Sequence, residues 1–327
     1  MNCWYIRVLL VCLAVFLFPF RSPAPLIFRP GEGWSYESPS GKADEWRKLR
    51  AKDQLDVAQA AFDKKDYKVA TKAAQRVVTV WPLSDAAPQA QYLCGRCYEA
   101  RGMDEKAFKA YAAVLNKYPK MESATEIQGR QLAIADRFLA GERLKLFGYI
   151  PMFPSREKAA EMYGEIVRFG PYGPYGPAAQ MNIGAAREKQ KDYELAVKAY
   201  EVAADRYNAQ PAIAATALYK ATLAWSKQAR KADYDQSAAG QAISSAGDFI
   251  TLYPDDPRVP ELQQIVTTLK MEQARGDFSI AQYYEKNKHW AAARIYYNSV
   301  HDKVRGTPLA DEALRRIEGF ASRLEGK

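Results

Sequence analysis

The sequence has few of the residues on which most enzyme active sites depend. Only two histidines, His289 and His301, occur among the 327 residues, which leaves little material for histidine-based acid–base catalysis or for most metal sites. The GxGxxG fingerprint, the P-loop, the GxSxG elbow and the HExxH motif are all absent. His289 precedes Trp290 at a predicted turn, and we interpret it as a surface residue. The sequence therefore favours a non-catalytic protein without a cofactor or a bound metal.

Long runs of basic residues are also absent, although the net charge is +9, from 47 Lys and Arg against 38 Asp and Glu. The basic residues alternate with acidic ones, as in KKDYKVATK (64–72) and EKQKDYELAVK (188–198). This mixture is typical of solvated helix faces, so we predict that the protein does not bind nucleic acid.

The N-terminus has no apolar run of the ~20 residues that an ordinary spanning helix needs. Its longest apolar run, Val8 to Phe20, has 13 residues and suits the core of a secretory signal. Small residues at 22–24 suit a cleavage site, but Pro25 would follow the cut and is unfavourable there. Residues 1–24 are therefore predicted to be either a signal peptide or an uncleaved N-terminal anchor.

Cys12 is a poor lipid-acceptor cysteine, because Val11 precedes it where a lipoprotein signal has a small residue. We interpret it as an apolar residue of the signal. In either form the N-terminus predicts export and association with a membrane. Residues 25–45 are rich in Pro, Gly and Ser and predict an extended tether.

From Trp46 onward the apolar spacing is helical, and one pattern recurs. Residues 62–82 and 99–119 align without gaps, so that Ala70 matches Ala107 and Pro82 matches Pro119, each 37 residues apart. The alanine lets two helices approach, a residue four positions later fills the groove, and the proline ends the second helix. Four further segments carry the pattern, with the markers Ala159 and Tyr163, Ala196 and Tyr200, Ala242 and Ala246, and Ala292 and Tyr296.

This pattern predicts an all-α fold, a superhelical solenoid of about six helical hairpins of the tetratricopeptide type. One hairpin cannot bury its apolar face alone, so neighbouring hairpins stack. Within Gly141–Ser155 we predict an insertion, because Pro151 and Pro154 bar a continuous helix. The repeat domain, residues 46–327, is predicted to contain units near 48–82, 85–119, 124–171, 177–208, 211–254 and 260–304, followed by a capping helix at 307–324.

The stretch Pro171–Pro177, PYGPYGP, is interpreted as a turn between two repeats, with its prolines at the end of one helix and the start of the next. Gly173 and Gly176 permit positive φ in this turn, and we expect Tyr172 and Tyr175 to lie over the neighbouring hairpins. A ligand-binding loop is the alternative interpretation.

The hollow side of such an array is where we expect a partner to bind, because the first helix of each hairpin lines it. In the first two units the inward positions predict a partner-binding set: Gln59, Phe62, Tyr92, Arg96 and Glu99. This mixture of aromatic, amide and charged side chains suits an extended peptide with a terminal aromatic residue. The alternative is that each is an ordinary solvated or packed helix residue.

Cys94 and Cys97 form a CxxC pair, which in an exported protein can exchange disulfides. A thioredoxin-like site places this motif at a helix N-terminus after a strand, whereas here it lies inside a predicted helix, where a disulfide would be strained. Core packing is the favoured interpretation, and a thiol oxidoreductase using Cys94 and Cys97 stays as an alternative.

Four features near the C-terminus, within Leu252–Phe320, carry a family resemblance. They are Tyr253-Pro254, Ala281-x-Tyr283-Tyr284, Trp290-Ala291-Ala292-Ala293 and Thr307-Pro308. With them the segment resembles the C-terminal part of the BamD family of outer-membrane assembly lipoproteins. The resemblance extends over about Lys48 to Leu324, and Gly141–Ser155 matches the insertion in that family's third hairpin.

The resemblance implies a periplasmic scaffold in the assembly of outer-membrane β-barrel proteins. Its implied partners are a barrel component with POTRA domains and unfolded outer-membrane protein segments, the latter near the N-terminal repeats. The family is anchored by a lipidated cysteine, from which Cys12 departs, so outer-membrane and inner-membrane association both stay open. A general envelope adaptor, serving in division or secretion, is the alternative function.

Overall fold

The computed structural model describes residues 46–141, 156–231 and 236–325, and the backbone of four short strands that lie before and between them. The predicted signal or anchor at 1–24, with Cys12, and most of the predicted tether lie outside the described residues. The chain divides into two compact units, with the boundary between Ala124 and Thr125.

The first unit contains two helical hairpins. Its described residues begin with an antiparallel strand pair, β1 and β2, within the segment expected to be an extended tether. The core of the hairpins is built from alanines and small apolar side chains, among them Ala58, Ala70, Ala74 and Cys97, none of which is exposed. The elements are β1 (Leu26–Arg29), β2 (Gly33–Tyr36), α1 (Ala51–Asp63), α2 (Tyr67–Val80), α3 (Ala86–Ala100) and α4 (Asp104–Lys117).

The second unit contains the remaining helices. The predicted insertion is occupied by a second antiparallel strand pair, and both prolines that were predicted to bar a helix lie in its second strand. The all-α class is confirmed for the described residues, with these short strand pairs added. The elements are α5 (Ala124–Ala140), β3 (Arg143–Leu146), β4 (Ile150–Pro154), α6 (Arg156–Phe169), α7 (Gly176–Lys189), α8 (Tyr193–Arg206), α9 (Pro211–Lys231), α10 (Gln236–Leu252), α11 (Val259–Lys286), α12 (Trp290–Lys303) and α13 (Pro308–Glu325).

In two hairpins a tyrosine of the second helix packs against a glycine of the first helix. A Cβ atom on Gly95 would lie 2.3 Å from Cε1 of Tyr111, and one on Gly184 would lie 2.4 Å from Cε1 of Tyr200. Only glycine therefore allows these helices to approach as they do. Five of the six marker alanines are fully buried, namely Ala70, Ala107, Ala159, Ala196 and Ala242.

In the sixth hairpin the predicted register was wrong by one residue. Ala293 and Tyr297 are fully buried, whereas the predicted markers Ala292 and Tyr296 are partly exposed. The run of three alanines followed by two tyrosines allows either register in the sequence. Packing selects the later one, because the Tyr297 ring lies edge-on to Phe278, with centroids 5.3 Å apart, and its hydroxyl reaches α11.

The turn within a hairpin uses one residue in the left-handed conformation. Gly102 takes this position with φ 65°, and three lysines, Lys65, Lys191 and Lys288, take it with φ of 62°, 62° and 60°. In the first two of these lysine turns an aspartate follows, and Asp66 accepts a hydrogen bond from the backbone N–H of Val69 at 3.2 Å. The turn is thus closed by the chain's own backbone and capped by its next residue.

The turn at Pro171–Pro177 joins α6 to α7, as predicted, but its glycines serve a different purpose. Among the described residues positive φ at glycine occurs only at Gly102, Gly141 and Gly306, so Gly173 and Gly176 do not use the positive φ that glycine permits. A Cβ atom on Gly176 would lie 2.2 Å from the carbonyl oxygen of Pro171. Close backbone approach, and not φ, therefore requires glycine at position 176.

Candidate functional site

The strongest candidate in the first unit is a cation held between two aromatic rings. The Arg96 guanidinium carbon lies 5.2 Å from the ring centre of Phe62 and 5.9 Å from that of Tyr92. Phe62 comes from α1, and the other two residues come from α3. Arg96 forms no ion pair with any carboxylate of the described residues. The helix spacing therefore brings three of the five predicted residues into one group with an available positive charge.

The other two predicted residues are engaged close by. Glu99 accepts a hydrogen bond from the Tyr111 hydroxyl, at 2.6 Å to its Oε2 atom, and the Tyr111 ring lies 5.9 Å from that of Tyr92. Gln59 is exposed and donates from Nε2 to Oδ1 of Asp63 at 2.9 Å, one turn along α1. Glu99 thus joins the group through Tyr111, whereas Gln59 is bonded within its own helix.

Sequence reasoning missed a tyrosine–carboxylate pair that recurs through the chain. The Tyr111 hydroxyl donates to Glu99, and the Tyr297 hydroxyl donates to Glu285 at 2.6 Å, each twelve residues upstream. Burial raises the pKa of the Tyr297 hydroxyl, and its bond to the carboxylate raises it further. The pairs hold the two helices of a hairpin together, and a recurring Glu-x11-Tyr spacing is the signal that would have predicted them.

The two cysteines of the CxxC motif are buried, free thiols in the core of the first unit. Burial raises the pKa of the Cys94 thiol to about 12, and the nearby Cys97 raises it further. Burial also raises the pKa of Cys97, against the opposing effects of Thr71, Arg101 and Arg96. A thiol that exchanges disulfides needs a lowered pKa, so these positions are suited to packing.

A second candidate surface lies on the sixth hairpin and is aromatic. The rings of Tyr284 and Tyr296 stack with centroids 5.6 Å apart, and Tyr283 meets Tyr284 edge-on at 5.7 Å. Tyr283 and Ile295 are 65% and 66% exposed, which is unusual for such large apolar side chains. His289 is exposed and lies edge-on to Tyr284 at 6.2 Å. We call Tyr283, Tyr284, Ile295 and Tyr296 the aromatic surface.

The turn at Pro171–Pro177 borders a cavity of about 540 Å³ in the second unit. Tyr172 forms part of its wall and is 78% exposed, while its ring meets Tyr207 edge-on at 6.4 Å. Tyr175 instead turns toward α5, where its hydroxyl would lie 2.7 Å from a Cβ atom on Gly129. Of the two tyrosines expected to cover neighbouring hairpins, Tyr175 lies against the preceding hairpin and Tyr172 stays open to a ligand.

No helix of the described part of the chain is both long enough and apolar enough to cross a bilayer. The same part holds no group of three or more His, Cys, Asp and Glu side chains placed to bind a metal ion.

Comparison with protein families gives two matches. The model of the YfiO family, described as an outer membrane lipoprotein family, matches residues 155–325, more than half of the chain. A tetratricopeptide repeat model matches residues 89–120, the second hairpin of the first unit. Together with the helical hairpins, this match confirms the predicted tetratricopeptide class. No curated protein matches the chain significantly.

Solved structures of tetratricopeptide proteins are similar to the chain at low sequence identity. The C-terminal part of a repeat-containing protein from Cytophaga hutchinsonii is 15% identical, with 84% of this chain and 90% of that structure covered and a TM-score of 0.34. A tetratricopeptide protein from Parabacteroides merdae is 11% identical, with coverages of 81% and 97% and a TM-score of 0.31. YrrB, a tetratricopeptide protein with an unusual peptide-binding site, is 15% identical, with coverages of 68% and 96% and a TM-score of 0.32.

Proposed function

The chain belongs to the YfiO family of outer membrane lipoproteins, and from that membership we propose that it is a non-catalytic, BamD-like scaffold of the periplasm. In this function it binds partner proteins during the assembly of outer-membrane β-barrels. Its partners are a barrel component with POTRA domains and unfolded segments of outer-membrane proteins. The N-terminus associates the scaffold with a membrane.

The observation that carries this proposal is Arg96, held between the rings of Phe62 and Tyr92 with no carboxylate partner in the part of the chain that the structure describes. Aromatic rings fix the guanidinium at little entropic cost, and Arg and Tyr are the residues that most often dominate binding energy at protein interfaces. A polypeptide laid across α1 and α3 would meet two ring faces and one cation. We propose that Gln59, Phe62, Tyr92, Arg96 and Glu99 bind the unfolded client.

The aromatic surface of the sixth hairpin is the proposed site for the folded POTRA partner. Tyr283 and Ile295 offer exposed apolar area, and Lys286, Lys288 and Arg294 are exposed residues nearby in the sequence. Tyrosine and arginine are both enriched at protein interfaces. A folded partner is favoured over a flexible one here because the stacked Tyr284 and Tyr296 rings give a rigid surface.

Photo-crosslinking in intact cells tests the first site. A benzoyl-phenylalanine at position 92 is expected to capture outer-membrane proteins, identified by mass spectrometry. The same group at position 109 is the control, because the Lys109 side chain is 69% exposed on α4. Arg96→Ala is expected to reduce capture at least about tenfold, and Arg96→Lys to restore part of it. Equal capture at positions 92 and 109 would contradict the proposal.

Co-purification tests the second site and separates the alternative functions. Tyr283→Ala is expected to reduce recovery of a POTRA-containing barrel protein, with Leu252→Ala as the control because Leu252 is 64% exposed on a different hairpin. Recovery of division or secretion proteins instead would favour a general envelope adaptor. A thiol oxidoreductase is tested by Cys94→Ala with Cys97→Ala, which we expect to retain function.

A further inference from the structure

The cavity beside Tyr172 has the properties of a separate binding site. Its volume of about 540 Å³ lies within the range of ~300–1,000 Å³ that is typical of ligand pockets. Its walls are mainly apolar, and Gln210 and Thr216 contribute polar groups. The apolar wall comes from the turn, α7 and α9, through Tyr172, Pro174, Met181, Ala212 and Ile213.

The walls of this cavity are held in place before any ligand arrives. The Tyr207 hydroxyl donates to the carbonyl oxygen of Pro171 at 2.7 Å, which fixes the start of the turn that carries Tyr172. The Thr216 hydroxyl donates to the Ala212 carbonyl oxygen at 2.7 Å and accepts from the Arg258 guanidinium at 3.2 Å. A preformed cavity loses little entropy on binding.

Lys220 follows the cavity residue Thr216 on the same helix and has no carboxylate partner among the described residues. Lys220 is one helical turn beyond Thr216 on α9, and its amino group lies 5.7 Å from the ring centre of Tyr200. It forms no ion pair with the described residues, whereas Lys227 on the same helix pairs with Glu188 at 3.3 Å. None of the described residues that line the cavity is acidic. The available charge therefore favours a ligand with a carboxylate.

Arg258, the other cation near the cavity, is already neutralised. Its guanidinium bonds both carboxylate oxygens of Asp256, at 2.8 and 2.7 Å. The bond to Arg258 lowers the pKa of Asp256 to about 2, so that the pair stays ionised at neutral pH. Among the described residues, Lys220 is thus a cation without an ion pair, whereas Arg258 is paired.

The distance between the cavity and Lys220 sets the spacing of the ligand's groups. Four residues along a helix advance ~6 Å, so Lys220 lies about that far beyond Thr216. In an extended chain, residues i and i+2 point to the same side and lie ~6.6–6.8 Å apart. We propose that this site binds an extended segment of a partner protein with a large apolar residue and, two positions later, Asp or Glu. The apolar side chain enters the cavity, and the carboxylate meets the Lys220 amino group.

This site is independent of the function proposed above. It uses residues of α7, of α9 and of the turn at Pro171–Pro177, and none of the residues assigned to clients or to the POTRA partner. The two proposals therefore fail separately. A failure to crosslink clients at position 92 would not contradict the cavity site. A failure of the peptide to bind the cavity would not contradict the client site.

Fluorescence anisotropy with the purified full-length chain tests the proposal. The probe is a fluorescein-labelled, C-terminally amidated peptide, Ser-Gly-Phe-Ser-Glu-Gly-Ser, whose amide removes any contribution of a terminal carboxylate. We expect saturable binding that weakens about tenfold when the peptide's Glu is replaced by Gln. Lys220→Gln is expected to weaken binding by the same factor, and to abolish the difference between the Glu and Gln peptides.

Three further variants separate binding from folding. Tyr172→Ala changes an exposed side chain, so the fold is retained, and it is expected to weaken both peptides. Leu252→Ala and Lys270→Gln, at exposed positions away from the cavity, should leave both affinities unchanged. Equal affinities for the two peptides, or wild-type affinity in Lys220→Gln, would overturn the proposal. The proposal would also be overturned if Tyr172→Ala left peptide binding unchanged and abolished self-association of the chain instead. The same holds if the variant abolished binding to anionic phospholipid vesicles instead.

Discussion

At the residue scale, one tyrosine position has the same packing role in several hairpins. This position is fully buried in four hairpins, at Tyr111, Tyr163, Tyr200 and Tyr297. The hydroxyl group donates to a carboxylate in three of them, and in the fourth Glu188 lies near the Tyr200 hydroxyl. Tyr163 donates to Asp136, across the insertion, where the spacing is 27 residues and not twelve. The position therefore combines apolar burial with a polar tie between the two helices.

The tie between Tyr111 and Glu99 gives a prediction for stability. Tyr111→Phe keeps the ring and removes a hydrogen bond to a charged group, so we expect it to lower the free energy of unfolding by about 1.5–3 kcal/mol. Urea denaturation followed by circular dichroism measures the change. Tyr67→Phe is the control, because the Tyr67 hydroxyl makes no hydrogen bond in the described structure. Equal losses in the two variants would show that Glu99 contributes nothing to the fold.

At the element scale, the turns within the hairpins depend on backbone conformation more than on side-chain contacts. Three lysines adopt φ near 60°, where a Cβ atom is strained, and the second hairpin has Gly102 at the same point. No sequence pattern predicted this conformation, because glycine and asparagine, and not lysine, are the residues that usually mark left-handed turns. The left-handed residue reverses the chain quickly, since the second helix begins only two residues after each of these lysines.

Lys65→Gly relieves this strain, and we expect it to raise the free energy of unfolding by up to about 1 kcal/mol. The gain is limited because glycine also adds freedom to the unfolded chain. Thermal unfolding measures the effect. Lys65→Ala keeps the Cβ atom and should give no gain, and Lys64→Gly, at φ −75°, should be destabilising. A gain in Lys65→Ala as large as in Lys65→Gly would contradict the explanation.

At the scale of the whole molecule, each unit depends on neighbouring hairpins to cover apolar faces that no hairpin covers alone. The last hairpin has no following hairpin among the described residues, and α13 covers it instead. Phe320 of α13 is 2% exposed and packs on Trp290 and Tyr297, with ring centroids 5.5 and 6.2 Å apart. The opposite face of α13 is charged, as suits a terminal cap.

Phe320→Ala removes this cover, and we expect it to lower the free energy of unfolding of the last hairpin by about 3–5 kcal/mol. Hydrogen exchange should accelerate in α11, α12 and α13 and stay unchanged in the first unit. Leu314→Ala, on the same helix but 37% exposed, should change stability by no more than about 0.5 kcal/mol. Comparable acceleration in both variants would mean that α13 contributes little cover.

The sequence by itself determined the helices and their repetition. The signals are the alanine spacing, the aromatic residue that follows and the proline at the end of a hairpin. They are local in the sequence, so they can be recognised without a structure. The same local signals located the turn at Pro171–Pro177 and the insertion at Gly141–Ser155. They also predicted that Phe62, Tyr92 and Arg96 share one side of the first two hairpins, because inward positions follow from helix periodicity.

Only the tertiary structure decided which side chains pair and which stay open. The register of the sixth hairpin, between Tyr296 and Tyr297, depended on which ring finds room against α11. The role of Gly176 depended on the path of a carbonyl group five residues earlier. The cavity beside Tyr172 arises where a turn, the helix α7 that follows it and the more distant α9 come together, and Lys220 on α9 has no ion pair among the described residues. Such features depend on packing between elements, because no local pattern specifies the partner of a side chain across a fold.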